Sequence, residues 1–171
     1  MTAPRRSEEE LLDPSYLEGL ESKPVDDVRA MHEDCLVVET ELSYVRRLAQ
    51  ARMDIVRAEI DRRESGGSVS DLLAQLPQIL SDPGPRSTPV ASRLPRHLAP
   101  DLDDELHGEL DEIVADGTLA SLPTLSDSEL QTRLDELRAV ERDVSARRRA
   151  MFEVIDRIEA DLTERHKVGR A

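Results

Sequence analysis

Two long segments with apolar residues at steps of three and four constrain the fold more than any other feature. These steps return to one side of an α-helix, because the helix has 3.6 residues per turn. The first stripe is Val28, Met31, Cys35, Val38, Leu42, Val45, Ala49, Met53, Val56 and Ile60, and the second is Leu130, Leu134, Leu137, Val140, Val144, Met151, Ile155, Ile158 and Leu162. Helices of about 40 residues, roughly 60 Å long, usually need a partner helix. We predict an all-α fold, an antiparallel coiled-coil hairpin of two long helices with short helices in the connection.

Local signals divide the chain into five regions. Gly66 and Gly67 end the first long helix, and a capping box of Ser126 and Glu129 begins the second. The regions are a mobile acidic N-terminal arm, the first helix, the connection, the second helix and a C-terminal tail: residues 1–24, 25–65, 66–125, 126–165 and 166–171.

The connection contains short pieces. The segment 69–80 predicts one or two helical turns broken at Pro77, and residues 81–100, with five prolines, predict an irregular linker. Residues 101–116 predict a helix that carries eight acids and no basic residue. Such a helix is either a solvated element or an acidic surface for a basic partner.

Composition limits the class of protein. The net charge of −14 argues against direct DNA binding and favours a basic partner surface. Cys35 is the single cysteine, so a reducing, cytoplasmic location is expected, and no apolar run predicts a membrane span or signal peptide. The four histidines do not cluster as metal ligands, and no catalytic constellation predicts an enzyme.

A repeated polar pattern follows each apolar stripe at a distance of one residue. On the first helix, spacings of 4, 3, 4 and 4 connect Glu39, Ser43, Arg46, Gln50 and Asp54. On the second, the same spacings connect Glu141, Ser145, Arg148, Phe152 and Asp156. In an antiparallel hairpin the two copies would lie at nearly the same height and run in opposite directions. They are either solvated flank residues that form i,i+4 pairs or a ligand site with twofold character.

The residue types in this pattern suit a guanine nucleotide. Arginine can donate a fork of hydrogen bonds to guanine O6 and N7, and a carboxylate can accept from the N1–H and amino groups. Arginine also neutralises phosphate, and Phe152 could stack on a base. Further candidates for phosphate contacts are Arg47, Arg142, Arg147 and Arg149.

The pattern Glu-x3-Ser-x2-Arg-x3-Gln-x3-Asp resembles the cyclic di-GMP signature of the RsiG family, anti-sigma factors of the sporulation sigma factor WhiG. The resemblance covers both long helices; Phe152 departs from it. It implies that the nine matching polar residues bind an intercalated pair of cyclic di-GMP molecules together with a WhiG-like sigma factor, and Phe152 is the tenth candidate contact, in the place of a glutamine. The complex would keep that sigma factor from RNA polymerase and promoter DNA, and helix 101–116 could imitate DNA toward it. The alternative is a coiled-coil adaptor or scaffold without a nucleotide ligand.

Overall fold

The computed structural model describes residues 6–80 and 121–169, and over these ranges all regular structure is helical. The described ranges contain four α-helices: α1 (Glu8–Leu12), α2 (Val25–Ser65), α3 (Val69–Leu80) and α4 (Asp127–Val168). The same ranges contain 3-10 turns at Pro14–Leu17, Leu20–Ser22 and Leu122–Thr124. The chain forms two compact units: unit 1 is Met1–Ser43 with Asp143–Ala171, and unit 2 is Tyr44–Arg142.

Helices α2 and α4 pack against each other with opposite directions in each unit. In unit 1, His32 pairs with Glu159 at 2.9 Å, and Glu39 pairs with Arg148 at 2.9 Å. Residue numbers therefore increase along α2 in the direction in which they decrease along α4. Unit 2 has the same order in the pairs Gln50–Glu141 and Arg63–Asp127. The predicted all-α helical hairpin is confirmed.

The predicted stripes form the core of each unit. Unit 1 buries Val28, Met31, Cys35, Val38, Leu42, Val144, Met151, Ile155 and Ile158, and unit 2 buries Val45, Ala49, Met53, Val56, Leu130 and Leu134. Full burial of one such side chain contributes about 1.5–3 kcal/mol, so the packed faces account for much of the stability of the helices. Unit 2 also buries Ile55, Leu72 and Leu122, which the stripes did not include.

The N-terminal segment differs from the mobile arm that the sequence indicated. Ser7 and Glu10 form a capping box that begins α1, and the Leu11 side chain is fully buried in unit 1. Glu8 accepts two hydrogen bonds from Arg147, at 2.8 and 2.6 Å. The sequence pattern did not predict this short helix, because the segment contains three prolines. The partner of Glu8 also lies more than 130 residues away in the sequence.

Backbone contacts fix the remainder of this segment in unit 1. The Tyr16 hydroxyl donates to the Met31 carbonyl at 3.3 Å. Arg165 of α4 donates to the carbonyl oxygens of Leu20 and Lys23, each at 2.7 Å. Leu20 lies in the second 3-10 turn and Lys23 follows that turn, so the two hydrogen bonds from Arg165 attach this turn to α4.

The ends of the long helices follow their local sequence. Gly66 has φ +70°. The Gly66 amide donates to the Arg63 carbonyl and the Gly67 amide to the Arg62 carbonyl, as in a Schellman cap. The predicted capping box of α4 is present: the Ser126 amide donates to Glu129 Oε2 at 2.7 Å, and the Glu129 amide donates to Ser126 Oγ at 3.3 Å.

Helix α3 is continuous where the sequence predicted a break. Its capping box joins Ser68 and Asp71, and Pro77 lies inside it. Proline removes the bond to the carbonyl four residues earlier, which belongs to the exposed Leu73 and can be solvated. The predicted linker 81–100 and acidic helix 101–116 lie outside the described residues.

A fully buried glutamate joins the helices of unit 2. Glu59 accepts from Arg62 at 2.7 and 2.8 Å and from Arg63 at 2.7 Å. Arg63 also donates to Asp127 at 2.7 Å and to the Leu122 carbonyl at 2.9 Å. The hydrogen bonds from Arg62 and Arg63 lower the pKa of Glu59, because they stabilise its charged form.

Candidate ligand-binding site

In unit 1, four of the ten predicted site residues form one cluster. Arg148 Nε donates to Glu39 Oε1 at 2.9 Å and to Ser43 Oγ at 2.6 Å. The Ser43 hydroxyl donates to the same Glu39 oxygen at 2.7 Å. The guanidinium carbon of Arg148 lies 4.6 Å from the centre of the Phe152 ring, a cation–π arrangement. Helix α2 thus supplies the acid and hydroxyl, and α4 supplies the cation and ring.

In unit 2, three more site residues form a second cluster. Gln50 Nε2 donates to Glu141 Oε1 at 3.2 Å. Arg46 Nη1 lies 3.8 Å from that same oxygen, too far for a hydrogen bond. The Arg46 Nε atom is buried and has no hydrogen-bond acceptor within the described part of the chain.

The two clusters share one rule: the glutamate of one motif copy pairs with the arginine of the other. Glu39 of α2 pairs with Arg148 of α4, and Glu141 of α4 pairs with Arg46 of α2. All four side chains are partly buried, so these pairs are less screened by water and salt than exposed ones. Within each unit, motif residues are therefore joined across α2 and α4.

The remaining predicted site residues are placed differently. Asp54 is half-buried and pairs with Arg57 at 2.9 Å. Asp156 is exposed, and within residues 6–80 and 121–169 it has no hydrogen bond or ion pair. Ser145 is half-buried on α4.

A cleft of about 720 Å³ in unit 2 has one residue of the first motif copy, Asp54, in its lining. It lies between α2 and α3, and its lining includes Asp54, Arg57, Asp61, Arg62 and Asp71. No local pattern predicts this cleft, because it depends on how α3 folds back after Gly66 and Gly67.

The additional arginines do not share one environment. Arg147 is held by Glu8 and lies 3.6 Å from Asp143, so it is engaged inside unit 1. Arg47, Arg142 and Arg149 are exposed and remain candidates for phosphate contacts.

The described residues provide no alternative metal or membrane chemistry. No group of three or more His, Cys, Asp or Glu side chains within them could hold a metal ion. None of the helices described has a stretch apolar enough, over sufficient length, to cross a bilayer.

Comparison with protein families decides the class. The sequence profile described as RsiG-like matches residues 14–80 and 116–171, most of the chain. The chain belongs to the RsiG-like family. This is a regulatory, non-enzymatic family of anti-sigma factors, so a sigma factor is the class of partner that membership implies. No curated protein matches the chain.

The RsiG-like match includes both polar motif copies and excludes α1. All ten predicted site residues lie inside the two matched ranges. Glu8 precedes the first range, so the bond between α1 and Arg147 joins a segment outside the family match to one inside it.

Proposed function

We propose that this RsiG-like protein is an anti-sigma factor that binds cyclic di-GMP and sequesters a WhiG-like sporulation sigma factor in the cytoplasm. The observation that carries the proposal is the reciprocal pairing of Glu39 with Arg148 and of Glu141 with Arg46. Both motif copies thereby present a carboxylate and a guanidinium together, the groups that complement a guanine edge.

The donor set fits the ligand. Arg46 Nε is a buried donor without an acceptor in the described residues, and a guanine or phosphate oxygen would satisfy it. The exposed Arg47, Arg142 and Arg149 offer positive charge near the motifs, where phosphates are expected. Two cyclic di-GMP molecules carry four phosphates, so a basic sigma factor would complete the charge balance against this acidic chain.

Sequestration would then depend on differential affinity. A ligand shifts association only if it binds the complex more tightly than the separate proteins. Cyclic di-GMP held between the motif residues and the sigma factor satisfies this condition, since each protein would supply part of the site. The chain itself performs no chemistry on the ligand in this scheme.

Calorimetric titration with cyclic di-GMP, with and without the sigma factor, tests the proposal. We expect saturation near two ligands per chain and tighter binding with the sigma factor present. Arg46→Ala and Asp156→Ala should abolish binding while circular dichroism retains the helix content. Arg133→Ala is the matched control, because Arg133 is an exposed arginine of α4 outside the motif.

One observation favours a second candidate, a coiled-coil adaptor without a nucleotide. The clustered motif residues already form hydrogen bonds to one another, as interhelical structural contacts do. Absence of heat in both titrations, with the protein folded, would support the adaptor and contradict the nucleotide proposal.

A further inference from the structure

The two clusters differ at one motif position, and this difference changes how each arginine is held. In unit 2 that position is Gln50, whose amide occupies Glu141 Oε1. Arg46 stands 3.8 Å from the occupied oxygen, and its buried Nε has no acceptor among the described residues. The arginine is therefore attracted to the glutamate but not fixed by a hydrogen bond.

In unit 1 the corresponding position is Phe152, which has no donor to compete for the glutamate. Arg148 Nε reaches Glu39 Oε1 at 2.9 Å, and the Phe152 ring lies against the guanidinium at 4.6 Å. Ser43 bonds both partners. A carboxylate, a hydroxyl and a ring face thus hold Arg148 without any ligand.

We propose that Phe152 is a positioning residue that fixes the guanidinium of Arg148 against Glu39 before ligand binds, whereas Gln50 leaves Arg46 to be ordered by the ligand. The role of the arginines as ligand contacts rests on the proposed function; the difference in their order does not. Because Arg148 uses Nε for Glu39 and Ser43, its two terminal amino groups stay available as a preset fork. Binding then loses less side-chain entropy at Arg148 than at Arg46.

Hydrogen exchange of the arginine Nε–H groups, measured by NMR on the full-length protein alone, tests the positioning role. We expect a protected Arg148 Nε–H in the wild type and faster exchange in Phe152→Leu, which keeps an apolar side chain but removes the ring. Phe152→Trp should restore protection, since tryptophan also offers a ring face to a cation.

The reciprocal substitutions extend this test. Phe152→Gln places an amide where it can compete for Glu39, so Arg148 Nε–H should exchange faster. Gln50→Phe removes the competing amide, so Arg46 should become protected. The exposed Arg133 Nε–H serves as the internal control and should not change.

Titration of the same variants with cyclic di-GMP tests the consequence for binding. Phe152→Leu should weaken affinity about two- to tenfold, the effect of one additional side chain to be ordered. Phe152→Trp should restore affinity to within about twofold of the wild type.

The outcomes separate the two proposals. If the Arg148 Nε–H exchanges at the same rate in Phe152→Leu as in the wild type, the positioning role of Phe152 is overturned, whether or not the ligand binds. Changed exchange with no cyclic di-GMP binding by the wild type would support the positioning role and overturn the proposed function. Changed exchange with equal affinities in wild type and Phe152→Leu would overturn the claim that the preset arginine favours binding.

Discussion

The thiol of Cys35 lies in the core of unit 1, and burial raises its pKa from 9.0 to about 11. Only the thiolate is nucleophilic, so at pH 8 this rise in the pKa of Cys35 lowers its thiolate fraction about 100-fold. We expect iodoacetamide to modify Cys35 at least about 100-fold more slowly in the native protein than in urea, as measured by mass spectrometry. Ala139→Cys in a Cys35→Ala background is the exposed control, placed in the interior of α4, and should react about equally in both conditions. Rapid native labelling of Cys35 would contradict its burial.

Glu59 of unit 2 is a fully buried carboxylate that pairs with two arginines. Glu59→Gln removes the carboxylate partner of Arg62 and one of the two carboxylate partners of Arg63, and we expect it to lower the free energy of unfolding by about 1–3 kcal/mol in urea denaturation. Glu136→Gln removes an exposed ion pair with Arg133 and should cost less than about 1 kcal/mol. Equal losses of unfolding free energy in the two variants would show that the buried ion pairs of Glu59 stabilise the protein no more than an exposed ion pair does.

The lowered pKa of Glu59 gives this stabilisation a pH dependence with a defined sign. The Glu59 carboxylate binds a proton more weakly in the folded protein than in the unfolded chain, where its pKa is near 4.5. The stabilisation is therefore complete above pH 4.5 and is lost as the pH falls through the folded pKa. Urea titrations of wild type and Glu59→Gln should differ most at neutral pH and converge in acid; a constant difference would refute the assignment.

At the scale of elements, the ion pair of Glu8 with Arg147 and the buried Leu11 side chain hold α1 in unit 1. Glu8→Gln weakens the two bonds to Arg147, so α1 should open more often. We expect the amides of Leu11 and Asp13, which close α1, to exchange about ten- to hundredfold faster by NMR. Glu9→Gln, an exposed change in the same helix, should leave them unaffected. Loss of protection throughout the protein would instead mean that α1 supports the whole fold.

The long helices could be predicted because their evidence is local and repeated. Steps of three and four identify the buried faces of α2 and α4, and Ser126 with Glu129 identifies the start of α4. The docking of α1 and the inclusion of Pro77 in α3 could not be predicted, because each depends on a tertiary contact or on local exposure. Periodicity cannot report either.

Seven of the ten residues chosen from the repeated spacing take part in the two clusters, but their pairings could not be predicted. The repeated spacing predicted which side chains belong together on each helix. The choice of partner across the helices, such as Arg148 with Glu39, required the register of the two helices. The difference between the contacts of Arg46 and those of Arg148 could be seen only from the distances in the structure. In the sequence, Phe152 was only a departure from the pattern.

At the scale of the whole molecule, the antiparallel pairing of α2 and α4 has a consequence for the order of folding. Arg63 and Asp127 of unit 2 are 64 residues apart, whereas Glu8 and Arg147 of unit 1 are 139 apart. Each doubling of a closed loop costs about 0.6 kcal/mol, so the shorter loops of unit 2 favour its earlier formation.

Kinetics can reveal this order. Leu134→Ala in unit 2 should mainly slow folding, and Ile158→Ala in unit 1 should mainly speed unfolding, as chevron plots would measure. The reverse pattern would show that unit 1 nucleates the fold. In the expected order, unit 2 forms before unit 1, and α1, whose bond to Arg147 closes the longest of these loops, docks last.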